Sequence, residues 1–281
     1  MPPMTPFILS STAFVFILGA VVGSFLNVCI FRIPAGQSIV SPRSRCPRCE
    51  TPIRWYQNIP LLSWLLLGGK CAHCKTPISW RYPFVELLTA LLFAGIFLTF
   101  GFQPATPIYW IMAAILVTVT FIDLDHQIIP DVISLPGIVV GFLSSFFIPW
   151  MTWLDSLMGI IAGGGSLLLI ALTYEFLTKK EGMGGGDIKL LAMLGAFLGW
   201  QAIFPVIFIS SMVGTAVGIL LIDRAALRPV PINYNLALAR ERLESGARRA
   251  TLKLPRELDL KRGQFRAYLM VNLTPVMTLD L

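Results

Sequence analysis

Charged side chains are scarce in this chain of 281 residues. Lys, Arg, Asp and Glu together make up 13% of the sequence, whereas a soluble domain carries roughly a quarter. So few charges cannot cover the surface of a water-soluble protein, which excludes that class. Hydrophobic residues make up 56% of the chain instead. They fall in long uninterrupted runs of the kind that cross a membrane as helices.

Basic side chains are missing from every second connection between these runs. Seven runs can be marked, at Phe7–Phe31, Phe84–Phe100, Ile108–Ile122, Val132–Ile148, Leu157–Leu177, Ile188–Trp200 and Phe204–Ile222. If the N-terminus faces outside, all 22 Lys and Arg residues lie in inner segments or, for Lys189, at the inner edge of a run. Because Lys and Arg concentrate on the cytoplasmic side, we predict a multi-pass protein of the cytoplasmic (inner) membrane with its N-terminus outside. The net charge of +7 is then explained by this topology, and membrane lipid rather than nucleic acid is the predicted partner.

Cysteine is also uncommon, with five copies, but four of them form two Cys-x-x-Cys pairs. The pairs are Cys46 with Cys49 and Cys71 with Cys74, separated by 21 residues. This spacing favours a structural zinc site with four thiolate ligands. Two disulfides are the alternative, and a reducing cytoplasm disfavours them. Cys29 lies in the first apolar run and is expected to be a small buried residue.

The predicted fold class is an all-α polytopic membrane protein with about seven transmembrane helices and a small zinc-ribbon-like loop. Residues 1–33 form the first helix, which is expected to remain uncleaved because no basic region precedes it. Residues 34–83, here called the cysteine loop, are cytoplasmic, and residues 84–222 form a transmembrane core. Residues 223–281 form a basic cytoplasmic tail, in which 265–281 is expected to lie at the membrane interface rather than form an eighth helix. No internal repeat is expected.

Glycines in the fifth run form a Gly-x-x-x-Gly pair at Gly159 and Gly163. In lipid, this spacing lets two helix backbones approach closely. A phosphate-binding loop is the less favoured reading, since no strand precedes the glycines. We therefore predict a tight helix–helix contact here.

Two carboxylates mark the ends of short apolar runs. Ile108 to Asp123 spans about 24 Å of helix, and Trp200 back to Asp187 about 20 Å, against a hydrocarbon core of about 30 Å. Both side chains are therefore expected to lie in a recess near the cytoplasmic face. Either Asp alone is equally suited to cap a helix. Two at matched depth favour an aspartyl protease site, in which paired carboxylates share one proton and activate water.

Neighbouring residues are expected to support this pair. Asp125 is two residues from Asp123 and projects to another helix face, so only one of them can meet Asp187. Glu86 is equally suited to an interhelical bond or to the site, and Lys189 is expected to snorkel rather than pair with Asp187. Asp131 is expected to cap the next helix. The glycines before Asp187, Gly184, Gly185 and Gly186 among them, are expected to form an irregular backbone that substrate can approach closely.

These motifs together resemble the bacterial type IV prepilin peptidases, which are leader peptidases and N-methyltransferases of the Gly-x-Gly-Asp aspartic peptidase group. The matching segments, in the family's order, are Gly23-Ser24-Phe25-Leu26-Asn27-Val28, the two cysteine pairs, Asn58-Ile59-Pro60-Leu61-Leu62-Ser63-Trp64, Arg81-Tyr82-Pro83-Phe84-Val85-Glu86, Asp123-x-Asp125 with Ile129-Pro130-Asp131, and Gly182-Met183-Gly184-Gly185-Gly186-Asp187-Ile188-Lys189. The resemblance implies that Asp123 and Asp187 are the catalytic pair of a peptidase core at 84–222. It implies prepilins and type II secretion pseudopilins as substrates, and S-adenosylmethionine as methyl donor.

The tail departs from the family pattern, because no Pro-Phe-Gly-Pro-like segment follows Ile222. Two other functions stay open on the sequence alone. One is a different intramembrane aspartyl protease, of the preflagellin or presenilin type, against which the cysteine loop argues. The other is a membrane anchor without enzymatic activity that docks partners through the cysteine loop.

Overall fold

The computed structural model describes residues 6–179 and 184–226. Its helices are α1 (Pro6–Arg32), α2 (Leu62–Leu66), α3 (Arg81–Phe100), α4 (Ala105–His126), α5 (Asp131–Ser144), α6 (Trp153–Thr178), α7 (Gly185–Leu198) and α8 (Ile203–Ala226). Within these ranges the β structure consists of two isolated bridges, Arg45 with Pro52 and Lys70 with Pro77. The predicted all-α class is thereby confirmed. The tail after residue 226, including the predicted interfacial segment, lies outside the described residues.

Each of the seven predicted apolar runs forms a helix. Within the described part of the chain, five helical segments are long and apolar enough to cross a membrane: Pro6–Arg32, Arg81–Phe100, Ala105–His126, Trp153–Thr178 and Trp200–Ile219. The helices α5 and α7 have 14 residues each, or about 21 Å. They are therefore shorter than a hydrocarbon core of about 30 Å.

All seven of these helices begin one to four residues before their predicted runs, and for α3, α4 and α6 the local reason is clear. α3 and α4 start three residues earlier than predicted, with Pro83 and Pro107 as their third residues. Proline is tolerated there because the first turn needs no intrahelical N–H donor. α6 starts at Trp153, where Thr152 and Asp155 cap each other's backbone N–H groups at 3.2 and 2.9 Å.

Small residues bring the first helices together. A Cβ on Gly23 of α1 would lie 2.7 Å from the Cα of Glu86 in α3, and one on Gly19 would lie 2.7 Å from the Cα of Ala90. α4 packs against the same pair. Their shared core cluster comprises Leu26, Ile30, Val85, Val117, Phe121 and Ile122. Phe121 and Ile122 of this cluster directly precede Asp123. Their burial fixes the end of α4 that carries Asp123.

The helix α7 packs between α5 and α6. Gly159 of α6 faces Gly195 of α7 so closely that a Cβ on either would overlap the other's backbone. Gly163 similarly meets the carbonyl group of Leu191. The predicted close contact at Gly159 and Gly163 is confirmed, and α7 is its partner. Ser156 adds a hydrogen bond from its hydroxyl to the Ala196 carbonyl at 2.8 Å.

The chain divides into two compact units, Met1–Ser211 and Met212–Leu281. α8 crosses this division. All of the sites described below belong to the first unit.

Candidate active site and cysteine cluster

Asp187 lies in the first turn of α7. Gly184 precedes the helix in an extended conformation, with φ −68° and ψ 137°, and Gly185 and Gly186 are its first two residues. Gly185 and Gly186, which were expected to form an irregular backbone, are therefore helical, because α7 begins directly after Gly184. The Asp187 side chain is exposed.

Asp123 lies in the last turn of α4, and its side chain is also exposed. Gln127 ends the helix in a left-handed conformation, and its N–H donates to the Asp123 carbonyl at 2.8 Å. Because α4 begins at Ala105 rather than Ile108, Asp123 lies about 28 Å along the helix. That length is close to a hydrocarbon core of about 30 Å, so Asp123 would lie nearer the cytoplasmic surface than the predicted run implied. The carboxylates of Asp123 and Asp187 are close enough to repel each other electrostatically.

Asp125, two residues after Asp123, pairs with an arginine of α3. Arg81 at the start of α3 donates from Nη1 to both Asp125 carboxylate oxygens, at 2.7 and 2.6 Å. Its Nη2 donates to the Phe121 carbonyl at 2.9 Å, and its guanidinium lies 4.8 Å from the centre of the Phe121 ring. Arg81 therefore fixes the end of α4 that carries Asp123. The sequence alone did not identify Arg81 as a site residue.

Lys189 pairs with Asp131, with 2.6 Å between Nζ and Oδ1. As expected, it does not pair with Asp187. The expectation that Asp131 caps a helix was wrong, because Asp131 is the first residue of α5 and Pro130 occupies the capping position. The ion pair joins the second turn of α7 to the first residue of α5.

The three described glycines before Asp187 have different surroundings. A Cβ on Gly186 would lie 2.9 Å from the Cβ of Ile129, in the connection between α4 and α5. Among the residues that the structure describes, a Cβ on Gly184 or Gly185 would meet nothing within 4 Å. Gly186 thus permits close packing on the α4–α5 connection, whereas Gly184 and Gly185 leave open space beside Asp187.

Glu86 is buried in α3 and joins three segments of the chain. The N–H of Leu61 in the cysteine loop donates to its Oε2 at 2.8 Å. Ser24 of α1 also forms a hydrogen bond with the Glu86 carboxylate. Of the two expected roles, the contacts match the interhelical bond. The partner on the cysteine loop is an addition that the sequence did not suggest.

The four loop cysteines converge. Their sulfur atoms all lie within 4.8 Å of one another, and the Sγ atoms of Cys46 and Cys74 are 3.8 Å apart. A Zn–S bond of about 2.3 Å places the sulfurs of a tetrahedral site about 3.8 Å apart. The cluster therefore fits a zinc ion held by four thiolates. Cys29 is buried in α1.

The cysteine pairs lie in two copies of one structural unit, and the expectation of no internal repeat was wrong. Each copy reads basic-Cys-x-x-Cys-x-Thr-Pro-Ile, from Arg45 to Ile53 and from Lys70 to Ile78. In both copies the first cysteine's N–H donates to the threonine carbonyl, at 3.0 and 2.8 Å. Five of the nine positions are identical, namely both cysteines, the threonine, the proline and the isoleucine. The first position is basic in both copies, and the other three differ.

The threonine of each unit acts on the second cysteine. Hydrogen bonds from Thr76 lower the pKa of the Cys74 thiol to about 6. Hydrogen bonds from Thr51 likewise lower the pKa of the Cys49 thiol. Because the thiolate is the form that binds metal, these hydrogen bonds favour metal binding by the second cysteine of each unit.

Two carboxylates that come within a few ångströms of each other can share one proton, and such a pair can activate a water molecule against a carbonyl carbon. Around the pair, Arg81 holds one helix end and Lys189 the other. The cysteine cluster, by contrast, has all four ligand positions filled by sulfur. It therefore has the composition of a structural site rather than of a catalytic one.

Two family models match the chain. Residues 17–100 match the model described as the bacterial peptidase A24 N-terminal domain. Residues 110–219 match the model of the type IV leader peptidase family. The first match contains the cysteine loop and Glu86, and the second contains Asp123 and Asp187.

Curated relatives cover most of the chain. A protein of Myxococcus xanthus named prepilin leader peptidase/N-methyltransferase is 46% identical over 209 residues, which are 74% of this chain and 62% of that protein. Proteins of the same name from Pseudomonas aeruginosa and Neisseria gonorrhoeae are 38% and 39% identical. These alignments cover 79% and 73% of this chain, and 86% and 80% of the relatives. No solved structure gives a significant match.

Proposed function

The chain belongs to the type IV leader peptidase family, and we propose that Asp123 and Asp187 are the catalytic pair of this member. Like its relatives, it is a multi-pass inner-membrane enzyme that cleaves prepilin leader peptides and N-methylates the new N-terminus. The observation that supports the residue assignment is the placement of the two exposed carboxylates, in the last turn of α4 and the first turn of α7, with an electrostatic repulsion between them. Pseudopilins of type II secretion are proposed as further substrates by the same chemistry.

In the proposed mechanism one carboxylate is ionised and the other is protonated. The ionised carboxylate removes a proton from water as the water attacks the scissile carbonyl. The protonated carboxylate donates a hydrogen bond to the carbonyl oxygen and stabilises the developing negative charge. Cleavage of the C–N bond transfers a proton to the leaving amine and restores the shared proton of the pair.

The surrounding residues hold this pair in register. Arg81 and Asp125 secure the end of α4, and Lys189 and Asp131 secure the start of α7. The open space beside Gly184 and Gly185 admits an extended peptide next to Asp187. Glu86 supports the site indirectly, since it attaches the cysteine loop to α1 and α3.

Two further groups are proposed for the chain. The sulfurs of Cys46, Cys49, Cys71 and Cys74 hold a structural zinc ion, for which their spacing is suited. S-adenosylmethionine supplies the methyl group, as the relatives' N-methyltransferase name implies. We place the N-terminus outside and the cysteine loop in the cytoplasm, on the distribution of basic residues.

Asp123→Asn and Asp187→Asn test the catalytic assignment. Each removes the acid–base function of one carboxyl with little change in shape, so leader cleavage is expected to fall below detection. The measurement is the mobility shift of a co-expressed prepilin. Asp155→Asn, in the capping box at the start of α6, is the control and is expected to keep normal cleavage.

Methylation of a prepilin that has already lost its leader shows whether each variant is folded. We expect it to persist in both catalytic variants, because their folds are unchanged. Substantial cleavage by either variant would refute the role of that aspartate.

A further inference from the structure

The short helix α2 of the cysteine loop exposes apolar side chains on one face. Leu62, Leu65 and Leu66 are 56%, 66% and 84% exposed. Their spacing of three and four residues puts them on one side of the helix. We call these three residues the leucine face. The polar Ser63 is buried instead, and its hydroxyl bonds to the Ile59 N–H at 2.9 Å and to the Tyr56 carbonyl at 3.1 Å.

This arrangement is the reverse of a water-exposed helix, which buries its leucines and exposes its serine. Fully burying one leucine side chain is worth about 1.5–3 kcal/mol. Three exposed leucines on a single helix therefore indicate that something apolar covers them.

The attachment of α2 indicates what covers the leucine face. The Leu61 N–H, directly before α2, donates to Glu86 at 2.8 Å. Glu86 lies five residues inside α3, or about 8 Å along its axis. Its second partner, Ser24, lies eight residues before the end of α1, or about 12 Å. Both helices are candidate membrane spans, so α2 begins at a depth where lipid begins.

The charge of the loop indicates which lipid. Between residues 34 and 80 the sequence contains six basic side chains and one acidic side chain, Glu50. All six basic side chains are exposed: Arg43, Arg45, Arg48, Arg54, Lys70 and Lys75. A loop that has both an excess of exposed basic side chains and an exposed apolar face matches an anionic leaflet, whose phosphates attract Lys and Arg while its acyl chains receive leucine.

We propose that α2 is an interfacial lipid-binding element, with the leucine face inserted among the lipids of an anionic leaflet and the basic loop residues on the lipid phosphates. This surface goes beyond the proposed function, since it involves neither aspartate and none of the four loop cysteines. It seats the cysteine loop on the membrane beside α1 and α3. The loop is then held at two places, by Glu86 inside the protein and by the leucine face in lipid.

Photocrosslinking of the full chain tests the proposal. The photoreactive residue benzoylphenylalanine replaces Leu66, and the protein is reconstituted in vesicles of equal parts phosphatidylethanolamine and phosphatidylglycerol. Illumination is expected to give lipid adducts, detected by mass spectrometry, in severalfold higher yield than the same residue at Glu50. Glu50 is the control, because it is exposed on the cysteine loop but belongs neither to the leucine face nor to the basic residues placed on the lipid phosphates. Replacing phosphatidylglycerol with phosphatidylcholine is expected to lower the yield at position 66.

Leader cleavage and zinc content of each substituted protein show that it is folded. A parallel substitution at Leu65 provides a second position on the leucine face if the first variant does not fold. A folded variant that gives no lipid adduct at either position overturns the proposal. So does a co-reconstituted prepilin that becomes the main adduct in place of lipid, because the leucine face would then bind substrate.

Discussion

The ion pair between Lys189 and Asp131 is best explained by positioning rather than by stability. Both side chains are partly exposed, at 36% and 56%, and such pairs contribute about 0–1 kcal/mol to folding. Yet this pair joins the start of α7, two residues after Asp187, to the start of α5. Small displacements of a catalytic group reduce rate strongly, so its main effect is expected on turnover.

We therefore expect Lys189→Glu and Asp131→Lys each to lower kcat for leader cleavage by about 10- to 100-fold, with less change in KM. Each single variant places like charges together and separates the two helix starts. The double variant restores an ion pair in the opposite sense and is expected to regain most of the activity. The kinetics are measured on a purified prepilin, and Lys75→Glu is the control for the change in net charge. If the double variant is no better than the singles, positioning by this pair is wrong.

Gly186 offers a test of how closely α7 must approach the α4–α5 connection. Gly186→Ala places a methyl group 2.9 Å from the Cβ of Ile129, an atom fixed to the backbone, so α7 must move away. Gly185→Ala enters open space in the same helical turn and is the matched control. Alanine at this first helical position is expected to leave the fold unchanged, because its methyl group meets none of the described residues. Cleavage rates should therefore fall for Gly186→Ala only, and equal rates for the two variants would contradict this geometry.

At the residue scale, local chemistry was readable and long-range partners were not. The sequence predicted that Asp123 and Asp125 face different ways, since helix periodicity alone decides it. It did not predict Arg81 as the partner of Asp125, because the two are 44 residues apart. Nor did it predict Asp131 as the partner of Lys189, 58 residues away. Many basic and acidic side chains could have met, and tertiary packing selects among them.

At the element scale, the cysteine loop is a duplicated unit around one cluster. The sequence predicted its zinc ligands, because Cys-x-x-Cys spacing is short and local. It did not predict the attachment of the loop to Glu86. That attachment requires the Leu61 N–H to reach a carboxylate of α3 that also bonds to Ser24 of α1. The start of α4 is likewise a local feature, because Pro107 lies in the first turn of the helix, where proline is accepted.

Zinc loss is the expected result of Cys46→Ser, since serine replaces one of four thiolates in a cluster with no spare sulfur among its ligands. Metal content per chain, measured by mass spectrometry, is expected to fall from one zinc toward zero. Cys29→Ser is the matched control, because Cys29 is buried in α1 outside the cluster. Retention of a full zinc complement by Cys46→Ser would rule out this ligand set. Methylation that survives zinc loss would show that the metal does not form the methyl-donor site.

At the scale of the whole molecule, the helices follow from composition but their packing does not. Seven apolar runs predicted seven helices, because twenty or so apolar residues have few other options in lipid. The position of α7 between α5 and α6 depends on Gly159 meeting Gly195, a contact between residues 36 positions apart. The Gly-x-x-x-Gly spacing identified Gly159 from the sequence, but no pattern identified Gly195 as its partner.

Orientation in the membrane remains a prediction from charge, and it can be tested on the full chain. With the N-terminus outside, the connection between α3 and α4 faces outward and the start of the cysteine loop faces the cytoplasm. Gln103→Cys and Gln37→Cys report these two places, and both positions are exposed. A membrane-impermeant maleimide is expected to label Gln103→Cys in intact cells, and Gln37→Cys only after permeabilisation. The unsubstituted chain sets the background from its five cysteines. The reverse labelling pattern would invert the topology and place both aspartates on the opposite face from the one proposed.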